Sequence, residues 1–128
     1  MAKKILIVED EASLRKALVE KFQREGFETF LAFDGVEGLD QAERIQPDLI
    51  LLDIIMPKMD GMTMLKKLRE SGDWGKQVPV IILTNLSSDD DGRINDVAEL
   101  LPTFYLVKTD WTLSDVVEKV KGRLEGKE

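Results

Sequence analysis

The chain contains no cysteine and no histidine among its 128 residues. The absence of cysteine excludes disulfides, thiolate zinc sites and thiol nucleophiles. The absence of histidine excludes imidazole general bases, histidine-ligated metals and Ser-His-Asp triads. Any bound metal must therefore be held by oxygen ligands, which favours Mg²⁺, Ca²⁺ or Mn²⁺.

Long hydrophobic runs and an excess of positive charge are also absent. No segment reaches the roughly 20 apolar residues that a membrane span needs. The first apolar run, at residues 5–8, is too short for a signal peptide and leads into acidic residues. Lys and Arg number 18 against 25 Asp and Glu, a net charge of −7. We therefore expect a cytoplasmic protein that binds no membrane and no nucleic acid but is compatible with divalent cations or a basic partner.

Apolar runs alternate with helical patterns five times along the chain, whose length fits one domain. The predicted strands are residues 5–8, 29–33, 49–52, 80–83 and 104–107. Apolar residues at helical spacing follow each strand, and the fourth predicted helix lies around 94–101. Three of the strands are continuous apolar runs, which is typical of strands buried on both faces. The pattern predicts an α/β fold with a doubly wound parallel sheet.

Local signals mark where several helices begin and end. Gly26 is expected to end the first helix, and Asp60 to cap the third. Thr112 and Asp115 form a pattern like a capping box at the start of the final helix. The composition of residues 71–77 predicts a loop between the third helix and the fourth strand.

Charged and polar residues follow the predicted strands at the point where each strand ends. They are Glu9, Asp10 and Glu11 after the first strand, Asp53 after the third, Thr84 after the fourth and Lys108 after the fifth. In open parallel sheets, functional groups gather at the carboxyl ends of the strands. If these strands are neighbours, the residues converge on one edge of the sheet.

The expected cluster has the composition of a phosphoryl-transfer site. Three neighbouring carboxylates repel one another, and a hard cation such as Mg²⁺ relieves that repulsion. Lys108 and Thr84 supply a positive charge and a hydroxyl for phosphoryl oxygens. With cysteine and histidine absent, a carboxylate is the natural nucleophile, and Asp53 stands in the middle of the set.

At this point the residues resemble the receiver domains of bacterial two-component response regulators, in particular the single-domain chemotaxis receiver. The resemblance is carried by four segments in order: ILIVEDE at 5–11, LLDIIMPKMDG at 51–61, VPVIILT at 78–84 and FYLVK at 104–108. It implies a flavodoxin-like (βα)₅ fold with strand order 2-1-3-4-5. It also implies that residues 1–128 form a single receiver domain of a phosphorelay.

The resemblance assigns roles to the residues at the strand ends. Glu9, Asp10, Asp53 and the backbone carbonyl of Ile55 would hold Mg²⁺, with Mn²⁺ as an alternative and no other cofactor. Asp53 would accept a phosphoryl group from the phosphohistidine of a histidine kinase or phosphotransfer protein. The chain would then be no general enzyme, since it would catalyse only its own aspartyl phosphorylation and dephosphorylation.

The family also implies a switch. Thr84 and Lys108 would bind the phosphoryl oxygens, and their rearrangement would be coupled to Tyr105. The responding surface would be the fourth helix, fifth strand and fifth helix, which would bind a downstream protein. The chain would be a monomer or a phosphorylation-dependent dimer.

Two features distinguish this chain within the family pattern. Thr109 follows Lys108 where the family has proline, so we expect either a trans bond with another path for Lys108 or a cis bond costing about 3–4 kcal/mol. The positions that tune phosphoryl lifetime, Ile55 and Leu86, are both apolar. They would exclude attacking water, so we expect a slowly decaying phosphorylated state.

Other functions fit less well. A haloacid-dehalogenase-like phosphatase needs an aspartate where Ile55 stands, a flavodoxin needs a phosphate loop after the first strand, and a P-loop enzyme needs G-x-x-x-x-G-K-[ST]. A pseudo-receiver that binds partners without phosphorylation stays open. Each of these residues also has a purely structural interpretation when it is considered alone. The acidic pair fits a helix cap, Tyr105 fits a half-buried aromatic residue of a strand, and Asp34 fits a turn residue.

Overall fold

The computed structural model describes residues 2–53, 59, 61–84, 104–107 and 111–125, without the side chains of 84 and 104–107. Five parallel strands form one sheet in the order β2-β1-β3-β4-β5, which confirms the expected order. Their bounds are β1 Lys4–Val8, β2 Glu28–Ala32, β3 Leu49–Leu52, β4 Val80–Thr84 and β5 Phe104–Val107. Each predicted strand is correct to within one residue at either end.

Five helices lie within the part of the chain that the structure describes. Their bounds are α1 Ala12–Arg24, α2 Gly35–Ile45, α3 Gly61–Arg69, α4 Asp73–Gln77 and α5 Leu113–Leu124. Thr112 caps α5, and the reciprocal bonds between Thr112 and Asp115 confirm the capping box. Gly26 follows α1 with a φ of 91°, as expected of a helix-ending glycine. The fourth predicted helix and the cap at Asp60 lie outside the described residues.

The loop predicted at residues 71–77 is wrong, because the short helix α4 lies there. Its sequence looked like a loop because it contains two glycines and four polar or charged residues among seven positions. Tertiary packing overrides that composition, since the Trp74 side chain packs against the core. Gly75 allows the close approach, because a Cβ atom there would lie 2.1 Å from the Leu68 carbonyl oxygen.

The sheet buries apolar side chains on both faces, as the continuous apolar runs predict. One face packs against α2 and α3 through residues such as Leu6, Ile50, Ile82, Met64 and Leu68. The other packs against α1 and α5 through residues such as Ile7, Leu51, Ile81, Phe22 and Val117. The helices therefore cover both faces of a doubly wound sheet. No described helix has the length and apolar character needed to cross a membrane.

Strand register places the ends of β1 and β3 side by side. Val8 pairs with Leu52, the last residue of β3, and also with Ala32, the last residue of β2. The residues that follow, Glu9 and Asp53, therefore leave the sheet at the same edge.

Candidate metal and phosphoryl site

Three carboxylates meet at this edge of the sheet. The side chains of Glu9, Asp10 and Asp53, which we call the acidic trio, offer carboxylate oxygens that all lie within 4.8 Å of one another. Glu9 and Asp53 are buried, at 2% and 5% exposure, whereas Asp10 is exposed. The trio thus combines two carboxylates held in the protein with one that faces solvent.

The backbone fixes the two buried members of the trio. The Asp53 N–H donates to the Val8 carbonyl oxygen at 3.0 Å, which extends the β1–β3 ladder by one residue. The Glu9 N–H donates to the Ala32 carbonyl oxygen at 3.1 Å. One carboxylate oxygen of Glu9 accepts a 3.0 Å hydrogen bond from the Glu11 N–H. The two bonds made by Glu9 lie at the turn that leads from β1 into α1.

Arg15 is a functional candidate that the sequence reasoning missed. Its guanidinium donates to the carbonyl oxygens of Glu9 and Asp10, at 2.9 and 3.3 Å. It also stacks on the Phe33 ring, with its central carbon 4.2 Å from the ring centroid. The available signal was a lone arginine near the start of the helix that follows an acidic turn, which is too weak a pattern to identify these contacts.

Asp34 also follows a strand, β2, at this edge of the sheet, but its role is structural. It is buried, and its carboxylate accepts a 2.8 Å hydrogen bond from the Glu37 N–H, which caps α2. The next residue, Gly35, donates its N–H to the Met59 carbonyl oxygen at 3.0 Å. The reading of Asp34 as a residue of the turn before α2 agrees with this geometry.

The remaining predicted site residues are described only in part. Thr84 ends β4, and its backbone pairs with Val107, the residue before Lys108. The side chains of Thr84 and Tyr105 lie outside the described residues, as do Ile55, Leu86, Lys108 and the Lys108–Thr109 bond. The described structure therefore brings together Glu9, Asp10 and Asp53 and leaves the other assignments as predictions.

A pocket of about 450 Å³ lies away from the acidic trio, between the end of α2 and α4. Its lining includes Gln46 and Trp74 and none of the three carboxylates. The chemistry of the strand ends, and not the volume of this pocket, therefore marks the candidate site.

Comparisons with known proteins agree with the observed fold. The family model described as the response regulator receiver domain matches residues 5–120. The chain is 41% identical over 105 residues to the probable transcriptional regulator ycf27 of Porphyridium aerugineum, covering 82% of the chain and 41% of that protein. It is 42% identical over 84 residues to the alkaline phosphatase synthesis transcriptional regulatory protein PhoP of Bacillus subtilis, covering 66% and 34%.

Solved structures show the same likeness over nearly the whole chain. The Francisella response regulator 1452 receiver domain superimposes with a TM-score of 0.85 at 28% identity, covering 98% of this chain and 99% of that one. The chemotaxis response regulator CheY4 of Vibrio cholerae gives 0.83 at 28% identity, covering 97% and 99%. The chain spans less than half the length of the curated relatives named above. Its match to the family model over most of its length, together with the observed fold, shows that this chain belongs to the response regulator receiver family.

Proposed function

We propose that residues 1–128 form one receiver domain that accepts a phosphoryl group on Asp53 from a partner's phosphohistidine. The donor would be a histidine kinase or a phosphotransfer protein in a cytoplasmic phosphorelay. The observation that carries the proposal is the acidic trio at the carboxyl edge of the sheet. Three carboxylates this close are costly unless a cation or a reaction uses them.

The donor set fits Mg²⁺. Magnesium binds oxygen at about 2.0–2.1 Å in octahedral geometry, so opposite ligand atoms lie about 4.2 Å apart. The carboxylate oxygens of the trio, within 4.8 Å of one another, are close to that spacing. Glu9, Asp10 and Asp53 would hold the ion, the Ile55 carbonyl would add the ligand that the family implies, and Mn²⁺ would fit the same donors. The bound cation would neutralise charge on the phosphoryl oxygens.

Asp53 is the best placed of the three carboxylates to be the nucleophile. It follows the central strand β3, and its own N–H anchors it to Val8. Asp10 is exposed, and one oxygen of Glu9 already accepts the Glu11 N–H. An Asp53 oxygen would form the new P–O bond as the P–N bond to the donor imidazole breaks, and the imidazole nitrogen would keep the electron pair.

The other assignments complete the proposed cycle. Thr84 and Lys108 would bind the phosphoryl oxygens, and Tyr105 on β5 would change conformation with Thr84. The surface formed by the fourth predicted helix, β5 and α5 would then bind a downstream protein, with the chain as a monomer or a phosphorylation-dependent dimer. Nucleic-acid contact is not assigned to this domain, whose net charge is −7.

Ile55 and Leu86 would set the lifetime of the phosphorylated state. An aspartyl phosphate is lost when water attacks phosphorus in line with the Asp53 oxygen. Apolar side chains at both positions would exclude that water and give it no hydrogen-bond acceptor. We therefore expect the phosphorylated state to persist for minutes or longer. Decay within seconds in Mg²⁺ buffer would contradict this assignment.

The proposal is tested by the mass of the intact protein after incubation with phosphoramidate or acetyl phosphate, with Mg²⁺ or with EDTA. We expect a Mg²⁺-dependent gain of one phosphoryl group that Asp53→Asn abolishes. Asp40→Asn, an exposed carboxylate on α2, is the matched control and should be phosphorylated normally. No gain with either donor would favour the pseudo-receiver, a protein-interaction module that works without phosphorylation.

A further inference from the structure

A cationic side chain, that of Arg15, binds the turn that carries two of the three trio carboxylates. Arg15 lies on α1, six residues after Glu9, and its Nη1 donates to the carbonyl oxygens of both Glu9 and Asp10, at 2.9 and 3.3 Å. Among the described residues, its hydrogen bonds go to these backbone oxygens. A guanidinium is a planar group of fixed donors, so binding two successive carbonyls restrains the orientation of the peptide groups between them.

The guanidinium is itself held in place by an exposed aromatic ring. Phe33 directly follows β2, and 47% of its surface is exposed, although it is a large apolar residue. Its ring lies 4.2 Å from the central carbon of the Arg15 guanidinium, within cation–π range. The Phe33 ring therefore lies where it can support the Arg15 guanidinium from one side.

We propose that Arg15, supported by Phe33, is a positioning residue for the divalent-cation site. It holds the backbone of Glu9 and Asp10 so that their carboxylates face Asp53. The inference rests on the proposed function, because it assumes that the acidic trio binds a cation. Arg15 acts through the turn and touches neither the cation nor the phosphoryl group.

The charge of Arg15 and its positioning role predict opposite effects of Arg15→Met on the affinity for divalent cations. The direction of the measured change therefore distinguishes them. Arg15 is a cation beside a cation site, so its electrostatic effect is to weaken divalent binding. If charge dominated, Arg15→Met would bind the cation more tightly. If Arg15 positions the turn, the same change weakens binding although it removes a repulsive charge.

The first measurement is Mn²⁺ affinity, from the electron paramagnetic resonance signal of free Mn²⁺ titrated with folded protein. We expect Arg15→Met to raise the dissociation constant about 10-fold, the usual effect of losing an outer contact that orients metal ligands. Arg15→Lys keeps the charge but loses the planar group with its fixed N–H donors, so its dissociation constant should fall between those of wild type and Arg15→Met. Phe33→Leu leaves the net charge unchanged and should raise the constant about 2–5-fold.

Arg24→Met is the matched control, because it removes the same charge from an exposed position on the same helix. Nine residues of helix place it roughly 13 Å further along α1. That distance exceeds the screening length of about 8 Å at physiological salt, so Mn²⁺ affinity should stay within about twofold of wild type. Tighter binding by Arg15→Met, or an affinity equal to that of Arg24→Met, would overturn the inference.

A second measurement does not depend on the cation. The Glu11 N–H donates to the Glu9 carboxylate within the turn. In metal-free protein, its exchange with solvent, followed by nuclear magnetic resonance, should be faster in Arg15→Met than in wild type and unchanged in Arg24→Met. If wild-type protein binds no Mn²⁺, the proposed function fails by itself, while this exchange rate still decides whether Arg15 holds the turn. Unchanged exchange in Arg15→Met would refute that role.

Discussion

Because the carboxylates of the acidic trio repel one another, Asp10→Asn should stabilise the metal-free protein. The same substitution removes a proposed metal ligand, so the variant should gain less stability from Mg²⁺ than wild type does. Asp10 is the suitable position because it is exposed, and no described residue pairs with its carboxylate. Its oxygens lie within 4.8 Å of those of Glu9 and Asp53. Two unit charges at that separation repel by about 0.9 kcal/mol in water and about 3.5 kcal/mol at an effective dielectric constant of about 20.

Solvent exposure of Asp10 places its interactions near the lower of these values. Two such pairs give about 2 kcal/mol, and the neighbouring Arg15 guanidinium offsets part of it. We therefore expect Asp10→Asn to raise the free energy of unfolding by about 1–2 kcal/mol in EDTA at low ionic strength. Glu20→Gln, which makes the same charge change on the exposed surface of α1, should stay within about 0.5 kcal/mol of wild type.

Magnesium should reverse the order of stability. A ligand that binds only the folded state stabilises it by about 2.7 kcal/mol at 100 times its dissociation constant. Wild type and Glu20→Gln should both gain stability on addition of Mg²⁺, and Asp10→Asn should gain much less. Urea unfolding of the three proteins with EDTA and with Mg²⁺ measures all six values. Equal stability of Asp10→Asn and Glu20→Gln in EDTA, or equal gains with Mg²⁺, would contradict the account of the trio.

Three further predictions concern contacts outside the site. Lys121 lowers the pKa of Glu25 through a 2.8 Å hydrogen bond and its charge, and Glu25 raises the pKa of Lys121. A Glu25→Gln/Lys121→Met double-mutant cycle should therefore show a favourable coupling free energy at neutral pH. The coupling should be lost as pH falls through the lowered pKa of Glu25, and also as pH rises through the raised pKa of Lys121. Thr112→Ala should cost about 1 kcal/mol in urea unfolding by removing the cap of α5, and no loss would contradict the capping box. Gly35→Ala should cost about 1–3 kcal/mol, because its Cβ would lie 2.2 Å from the Met59 carbonyl oxygen, and an unchanged unfolding midpoint would contradict that close approach.

The fold was predictable because its strongest signals are local. The run Leu49–Leu52 is apolar at every position, and the structure buries all four residues, as a central parallel strand requires. The neighbouring strands β1 and β3 end at paired residues, Val8 and Leu52, so the next residues, Glu9 and Asp53, lie close together. The order of residues was therefore enough to predict the acidic trio. The predicted bounds of the edge strand β2 were one residue late at both ends, because its partly exposed residues give a weaker apolar pattern.

What sequence reasoning missed depends on tertiary contacts. Helix α4 exists because Trp74 packs on the core and Gly75 admits a neighbouring backbone, and neither contact is visible in a glycine-rich segment. Arg15 was missed because its partners are backbone carbonyls and the ring of Phe33 from another part of the fold. Such partners leave no periodic signal in the residues around an arginine.

We propose that Asp53, and not another member of the acidic trio, forms the bond to phosphorus. Borohydride reduces an aspartyl phosphate to homoserine, so reduction after phosphoramidate and Mg²⁺ treatment, followed by peptide mass spectrometry, identifies the acceptor directly. We expect homoserine at position 53 in wild type and none in Asp53→Asn. Reduced product at Asp10 or Glu9, or none at any of the three positions, would contradict it.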